Sequence, residues 1–169
     1  MDELSVLTGL TKSSLYNAFG NKESLFAKSV DFYIEQQLAP FKNSIAETLS
    51  LSDAVSGILE MKFLNDNNPL VTQGCLLTNS ILELKSNEPD LHEHVMQGYS
   101  EVHIAMERFF AWFVQHNKVK AGIDAQNLTD LYITFQQGLN VQSRNVQAKE
   151  SMARGIEMFL MLIKTLEVT

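Results

Sequence analysis

The segment from Pro89 to His116 carries apolar residues on two adjoining helical faces, and few folds accommodate such a helix. One stripe is Val95, Val102, Phe109 and Phe113; the second is Met96, Tyr99, His103, Met106 and Phe110, at steps of three and four. A helix apolar on two faces is covered by neighbours on several sides. This one is therefore expected at the centre of a helical body, with Pro89 in its first turn and Asn87 or Glu88 as its cap.

The rest of the chain supplies those neighbours. Lys22 begins a long helix whose buried stripe reads Phe26, Val30, Tyr33 and Ile34. Pro40 is expected to kink or interrupt it, because proline removes a donor and clashes with the preceding turn. Helical pattern resumes through Phe41, Ile45 and Leu49. Ser52-Asp53 is an N-cap signal for a helix carrying Val55, Ile58, Leu59 and Phe63, which ends in the turn-rich "NDNNP". A helix through "CLLTNSILEL" stops near "KSNEPD". Asp124 caps a helix containing Leu128, Leu131, Tyr132, Phe135 and Leu139, and a last helix carries Met152, Ile156, Phe159, Leu160, Ile163 and Leu166. No segment alternates like a strand for more than a few residues, so the fold class is all-α, with about eight helices.

Composition narrows the function. In 169 residues the net charge is -7, which argues against a protein that coats nucleic acid with its whole surface but leaves room for one local basic patch. The apolar runs are short and broken by Gln, Asn and Glu, so no membrane span is expected, and the first residues lack a signal-peptide pattern. Cys75 is the only cysteine. It permits no intrachain disulfide, and a reducing cytoplasm is the simplest location. No glycine-rich phosphate loop or zinc-ligand spacing is present. His92 and His94 face different directions on a helix, and Cys75 has no histidine near it in sequence. No enzyme, metal or cofactor site is expected.

The opening stretch, "DELSVLTGLTKSSLYNAFGNKESLF", has the parts of a helix-turn-helix. Leu4, Leu7 and Leu10 form the seam of a bracing helix and turn, and Gly9 permits a left-handed backbone. Thr11 is a natural N-cap. Leu15 and Phe19 point inward, four apart, which leaves Lys12, Ser13, Ser14, Tyr16 and Asn17 outside. Any helical hairpin has a leucine seam and a glycine turn, so the spacing alone does not decide the matter.

The string itself is more specific. "LTGLTKSSLYNAFGNKESLF" resembles the DNA-binding end of TetR-type (tetracycline-repressor-like) transcriptional regulators. Thr8-Gly9, Thr11, Ser13-Ser14, Leu15-Tyr16, Phe19, Lys22 and Leu25 match that pattern in order and without a gap. The resemblance implies that Lys12, Ser13, Ser14 and Asn17 face base edges or nearby phosphates. It implies that Thr11 and Tyr16 hold phosphates through their hydroxyls, and that Lys22 adds charge to the positive end of the next helix. Family members often have Gly where Ser13 stands and His where Asn17 stands. The family's first helix has no counterpart here, and the expectation is that the chain lacks it and that its opening helices are the least ordered part.

The same resemblance implies a division at residues 1–38, a truncated helix-turn-helix DNA-binding domain, and 39–169, a helical effector-binding and dimerisation domain. "GCLLTNSILEL" looks like the start of the sixth helix in one branch of the family. Homodimerisation is expected through the last two helices, with Leu139, Met152, Ile156, Phe159 and Ile163 as the interface. The alternative for that stripe is an intramolecular core. Candidate effector contacts are Met61, Cys75, Asn79, Met96, Tyr99, His103, Phe110, Phe135 and Gln136, because apolar walls with a few polar groups describe a small-molecule site. They also describe an ordinary core, and packing is the commoner use of any one such residue. The expected function is a DNA-binding transcriptional regulator, a homodimeric repressor released from operator DNA by a small-molecule effector. The rivals are a truncated ligand-binding and dimerisation module without DNA binding and, more distantly, a helical carrier of lipids or other hydrophobes.

Overall fold

The structure is a computed structural model, and it describes residues 1–43, 50–65, 74–84 and 88–168. Among the described residues, eight α-helices run in the order α1 (Asp2–Thr8), α2 (Lys12–Phe19), α3 (Lys22–Asn43), α4 (Leu51–Leu59), α5 (Leu76–Glu83), α6 (Pro89–Gln115), α7 (Ala125–Gln142) and α8 (Lys149–Thr165). A π-helical turn, Glu60–Leu64, prolongs α4, and a short 3-10 turn, Val146–Ala148, leads into α8. No helix among the described residues is long and apolar enough to cross a membrane.

The long helix α6 lies at the centre, packed by α3, α5 and α7. Its first stripe is fully sequestered: Val95, Val102, Phe109 and Phe113 are all buried. Phe109 is the hub, with its ring edge-on to Phe41 at 5.6 Å, Phe110 at 5.1 Å and Phe113 at 5.2 Å. The second stripe divides. Met106 and Phe110 are buried and Tyr99 and His103 half-buried, but Met96 is exposed because no described element covers the first turns of α6 on that side. Gly98 lets α3 approach closely, since a Cβ there would sit 2.2 Å from Ile34 Cδ1.

Several sequence expectations change in the folded chain. Helix α3 continues through Pro40, which lies near the end of the described helix, where the missing N–H removes one bond of the final turns. It also runs unbroken across the expected division between residues 38 and 39. Ile45 and Leu49 lie outside the described residues, as do 66–69 of the "NDNNP" turn and 85–87 of "KSNEPD", which include Asn87. The cap of α4 is Ser50, two residues before the expected position, and its hydroxyl accepts from the Asp53 N–H at 3.0 Å. Asp124 caps α7 as expected, with its carboxylate accepting from the Asn127 N–H at 2.7 Å. Helix α8 packs on α4 and on the π turn. The chain end is fastened by Glu167, whose carboxylate accepts from the Ser52 N–H at 2.5 Å.

One core group lacks a partner. The Tyr132 hydroxyl is fully buried and makes no hydrogen bond among the described residues, and its burial pushes its ionisation well upward. A buried hydroxyl without a partner costs about 1–3 kcal/mol of lost hydration. Tyr132→Phe is therefore expected to raise stability by about 1 kcal/mol in urea unfolding, and a loss of that size would contradict it.

Candidate functional site

Two regions bring together the residues singled out above. The first is the α1–α2 hairpin. Gly9 ends α1 with a left-handed φ of 68°. Thr11 caps α2: its hydroxyl accepts from the Ser14 N–H at 3.1 Å and lies 2.9 Å from the Ser14 hydroxyl. Such a cap contributes about 1 kcal/mol to a short helix. Leu15 is buried and Phe19 half-buried, so Lys12, Ser13, Ser14, Tyr16 and Asn17 stand together in solvent. Asn21 starts α3 by accepting from the Ser24 N–H at 2.7 Å, which places Lys22, exposed, in its first turn.

The hairpin also differs from the sequence reading. Lys12 is ion-paired with Asp2, which ties α2 to α1, and this contact holds the Asp2 carboxyl below its ordinary range. Leu4, Leu7 and Leu10 do not close a seam. They are exposed, as is Val6, because α1 is only seven residues long and meets chiefly α2. Lys28, one helical stretch further on, lies 5.4 Å from the Phe19 ring centroid and adds a third cation near this end of the molecule, one that sequence reasoning missed.

The second region is a narrow cavity of about 20 Å³, room for a single water, between α3, the π turn, the start of α5, α6 and α7. Four of the nine candidate effector residues line it: Cys75, Tyr99, His103 and Gln136. The other five do not. Met61 and Met96 point to solvent, Phe110 belongs to the aromatic core, Phe135 stacks on Phe159 at 4.0 Å, and Asn79, half-buried on α5, is not in the cavity wall. Among the lining residues that sequence reasoning missed, Lys62 and Gln37 matter most. The Lys62 ammonium donates to Gln37 Oε1 at 2.5 Å, and burial pushes its pKa down to about 8.

Helix α3 meets this cavity twice. Gln37 is in its wall, and Tyr33, one turn earlier, lies against the Cys75 thiol; burial, and then that thiol, pushes the Tyr33 ionisation well upward. The same helix begins directly behind α2.

The stripe expected at a dimer interface is instead core. Leu139 of α7 and Met152, Ile156, Phe159 and Ile163 of α8 are all buried within the chain itself, and α8 packs onto α4 and the π turn. The outward faces of α7 and α8 show a different apolar set: Val141, Met158, Met161 and Leu162. Gly138 and Gly155 lie on the same two helices with open space where a Cβ would stand.

Comparison with known proteins agrees with this architecture. A family model described as "Tetracyclin repressor-like, C-terminal domain" matches residues 54–159. The HTH-type transcriptional repressor BdcR of Escherichia coli (strain K12) is 22% identical over 164 residues, covering 97% of this chain and 78% of that protein. A TetR transcriptional regulator from Chloroflexus aurantiacus J-10-FL superposes with a TM-score of 0.78 at 20% identity, over 99% of this chain and 85% of that one. A cysteine mutant of the TetR family regulator CifR, solved with 26bp double-strand operator DNA, superposes with a TM-score of 0.76 at 22% identity, over 95% and 84% of the two chains.

Proposed function

The chain belongs to the tetracycline-repressor-like family of DNA-binding transcriptional regulators, and from that premise we propose that it is a homodimeric repressor released from its operator by a small-molecule effector. Residues 1–38 act as the reader head and 39–169 as the effector-binding and dimerising body. Lys12, Ser13, Ser14 and Asn17 on α2 meet base edges or adjacent phosphates. Thr11, Tyr16 and Lys22 hold the phosphate backbone. The observation that carries the effector reading is the double role of α3, which starts behind the recognition helix and contributes Gln37 to the cavity wall.

The mechanism is a population shift. A ligand with unequal affinity for two positions of α3 favours one of them, and can move the equilibrium only by that difference. In the released state the two recognition helices of a dimer no longer match half-sites one helical turn apart. Dimerisation uses the outward faces of α7 and α8, where Val141, Met158, Met161 and Leu162 are too apolar a set to leave in water. The glycines beside them allow a second pair of helices to approach closely.

An electrophoretic mobility shift with the intergenic DNA upstream of the gene tests this reading. A discrete complex holding two chains, resistant to excess unrelated DNA, is expected. Binding that is abolished by modest salt and indifferent to sequence would refute it, because phosphate contacts alone behave that way.

A further inference from the structure

The size of the cavity limits what can act there. It has room for a single water, so its guest is a water or a molecule close to one in size. Its wall is chemically active all the same. Cys75, the only cysteine of the chain, stands in it at the head of α5, with a nucleophilic sulfur that DNA reading does not use.

A polar group faces the same space without a protein partner. Gln136 of α7 is 5% exposed and lines the cavity, and its side chain hydrogen-bonds to no described residue. A carboxamide buried in this way costs free energy unless a guest satisfies it. Gln137, next to it in the wall, has its carbonyl engaged by Thr78 Oγ1 and Asn140 Nδ2, each at 3.1 Å, which leaves its NH2 group as a second donor. Against the sulfur lies the Tyr33 hydroxyl of α3, which burial keeps protonated and able to donate. The guest is therefore small, forms hydrogen bonds and sits beside a thiol.

Water meets those requirements and is inert to sulfur. Hydrogen peroxide is close to water in size and hydrogen bonding, and it also takes electrons from a thiol. We infer that the cavity admits hydrogen peroxide and that Cys75 is oxidised there to a sulfenic acid. The sulfur attacks the nearer peroxide oxygen. An S–O bond forms, the O–O bond breaks, and the thiol proton ends on the departing oxygen, which leaves as water. Sulfur gives up an electron pair and the peroxide takes it, so no further reactant enters. The added oxygen occupies the space of the one guest, and Gln136 becomes its hydrogen-bond partner. The chain has no second cysteine, so no intrachain disulfide follows and the reaction rests at the sulfenic acid. Tyr33, in contact with the thiol, carries the change into α3. As a route to release from operator DNA this rests on the regulator reading above; the thiol chemistry does not.

Exposure of the 169-residue chain to hydrogen peroxide, quenched by unfolding in dimedone, tests the assignment, because dimedone traps sulfenic acid and passes over oxidised methionine. One adduct per chain, at Cys75, is expected. Cumene hydroperoxide carries the same O–O bond on a body that the cavity does not hold. The preference for hydrogen peroxide over it should be at least about tenfold greater in the folded chain than in chain unfolded by urea. Gln136→Leu nearly keeps the volume and removes the donor. It should slow the reaction about three- to tenfold, the worth of one hydrogen bond, with stability equal to wild type or higher. If that variant fails to fold by circular dichroism, the folded and unfolded rate ratios decide alone. No adduct, a preference that unfolding does not change, or a folded Gln136→Leu that reacts at the wild-type rate would each overturn the inference. Oxidation is expected to lower operator affinity about tenfold, reversibly by dithiothreitol. Adduct formation with operator affinity unchanged would uphold the oxidation site and refute release through it. A chain that forms the adduct and binds no operator at all would refute the regulator reading alone.

Discussion

Replacing Phe109 with alanine is expected to cost about 3–5 kcal/mol of folding free energy, the range for emptying a large aromatic site that cannot collapse. Phe109 is 1% exposed, and its ring meets Phe41, Phe110 and Phe113 edge-on. These contacts join the far end of α3 to the middle of α6, and Tyr132 of α7 closes the cluster against Phe41 and Phe110. Little nearby can fill the gap, because Phe110 and Phe113 are already fully buried. At about 2–4 °C per kcal/mol for a chain of this size, the melting temperature should fall by about 6–20 °C. Phe32→Ala is the control: Phe32 is exposed on α3, and its loss should stay within about 0.5 kcal/mol. A Phe109→Ala loss below about 1 kcal/mol would mean that the aromatic cluster is not the structural centre.

That hub was legible in the sequence because burial on two faces leaves a redundant signal. Val95, Val102, Phe109 and Phe113 repeat at sevens and fours, and no solvated helix tolerates such a stripe. The hairpin was legible for another reason: Gly9, Thr11 and Leu15 have local jobs that few residue types can do. Where a residue's role depends on what lies opposite, sequence was a poorer guide. Met96 and Met106 read alike on α6, yet one is exposed and the other buried, because covering elements reach only part of the helix. Met152, Ile156, Phe159 and Ile163 make an apolar stripe whether a second chain or α4 faces it, and periodicity carries no information about which. Lys62 was invisible for a sharper reason. A lysine in a helical stretch reads as a solvated position, and periodicity does not foresee a π turn that carries it beside Gln37.

Placing a carboxylate at Ser13 separates folding from DNA recognition more cleanly than removing a contact does. Ser13 is exposed at the second position of α2, where several backbone N–H groups have no partner within the helix. Ser13→Asp puts negative charge at the positive end of the helix dipole, which favours folding by a few tenths of a kcal/mol. The Thr11 cap is untouched, since its bond runs to the Ser14 N–H. In the proposed operator complex the same carboxylate would face phosphates and base edges, and like charge at a docked interface costs several kcal/mol. Operator affinity should therefore fall on the order of a hundredfold or more, with the melting temperature unchanged or slightly raised. Lys22→Ala makes the contrasting case: it should weaken specific and non-specific DNA alike and reduce the salt slope by about one counterion. If Ser13→Asp left operator affinity within about threefold of wild type, α2 would not be the element that enters the groove. The DNA-reading role would then have to be sought on another face, beginning with the cations Lys22 and Lys28 of α3.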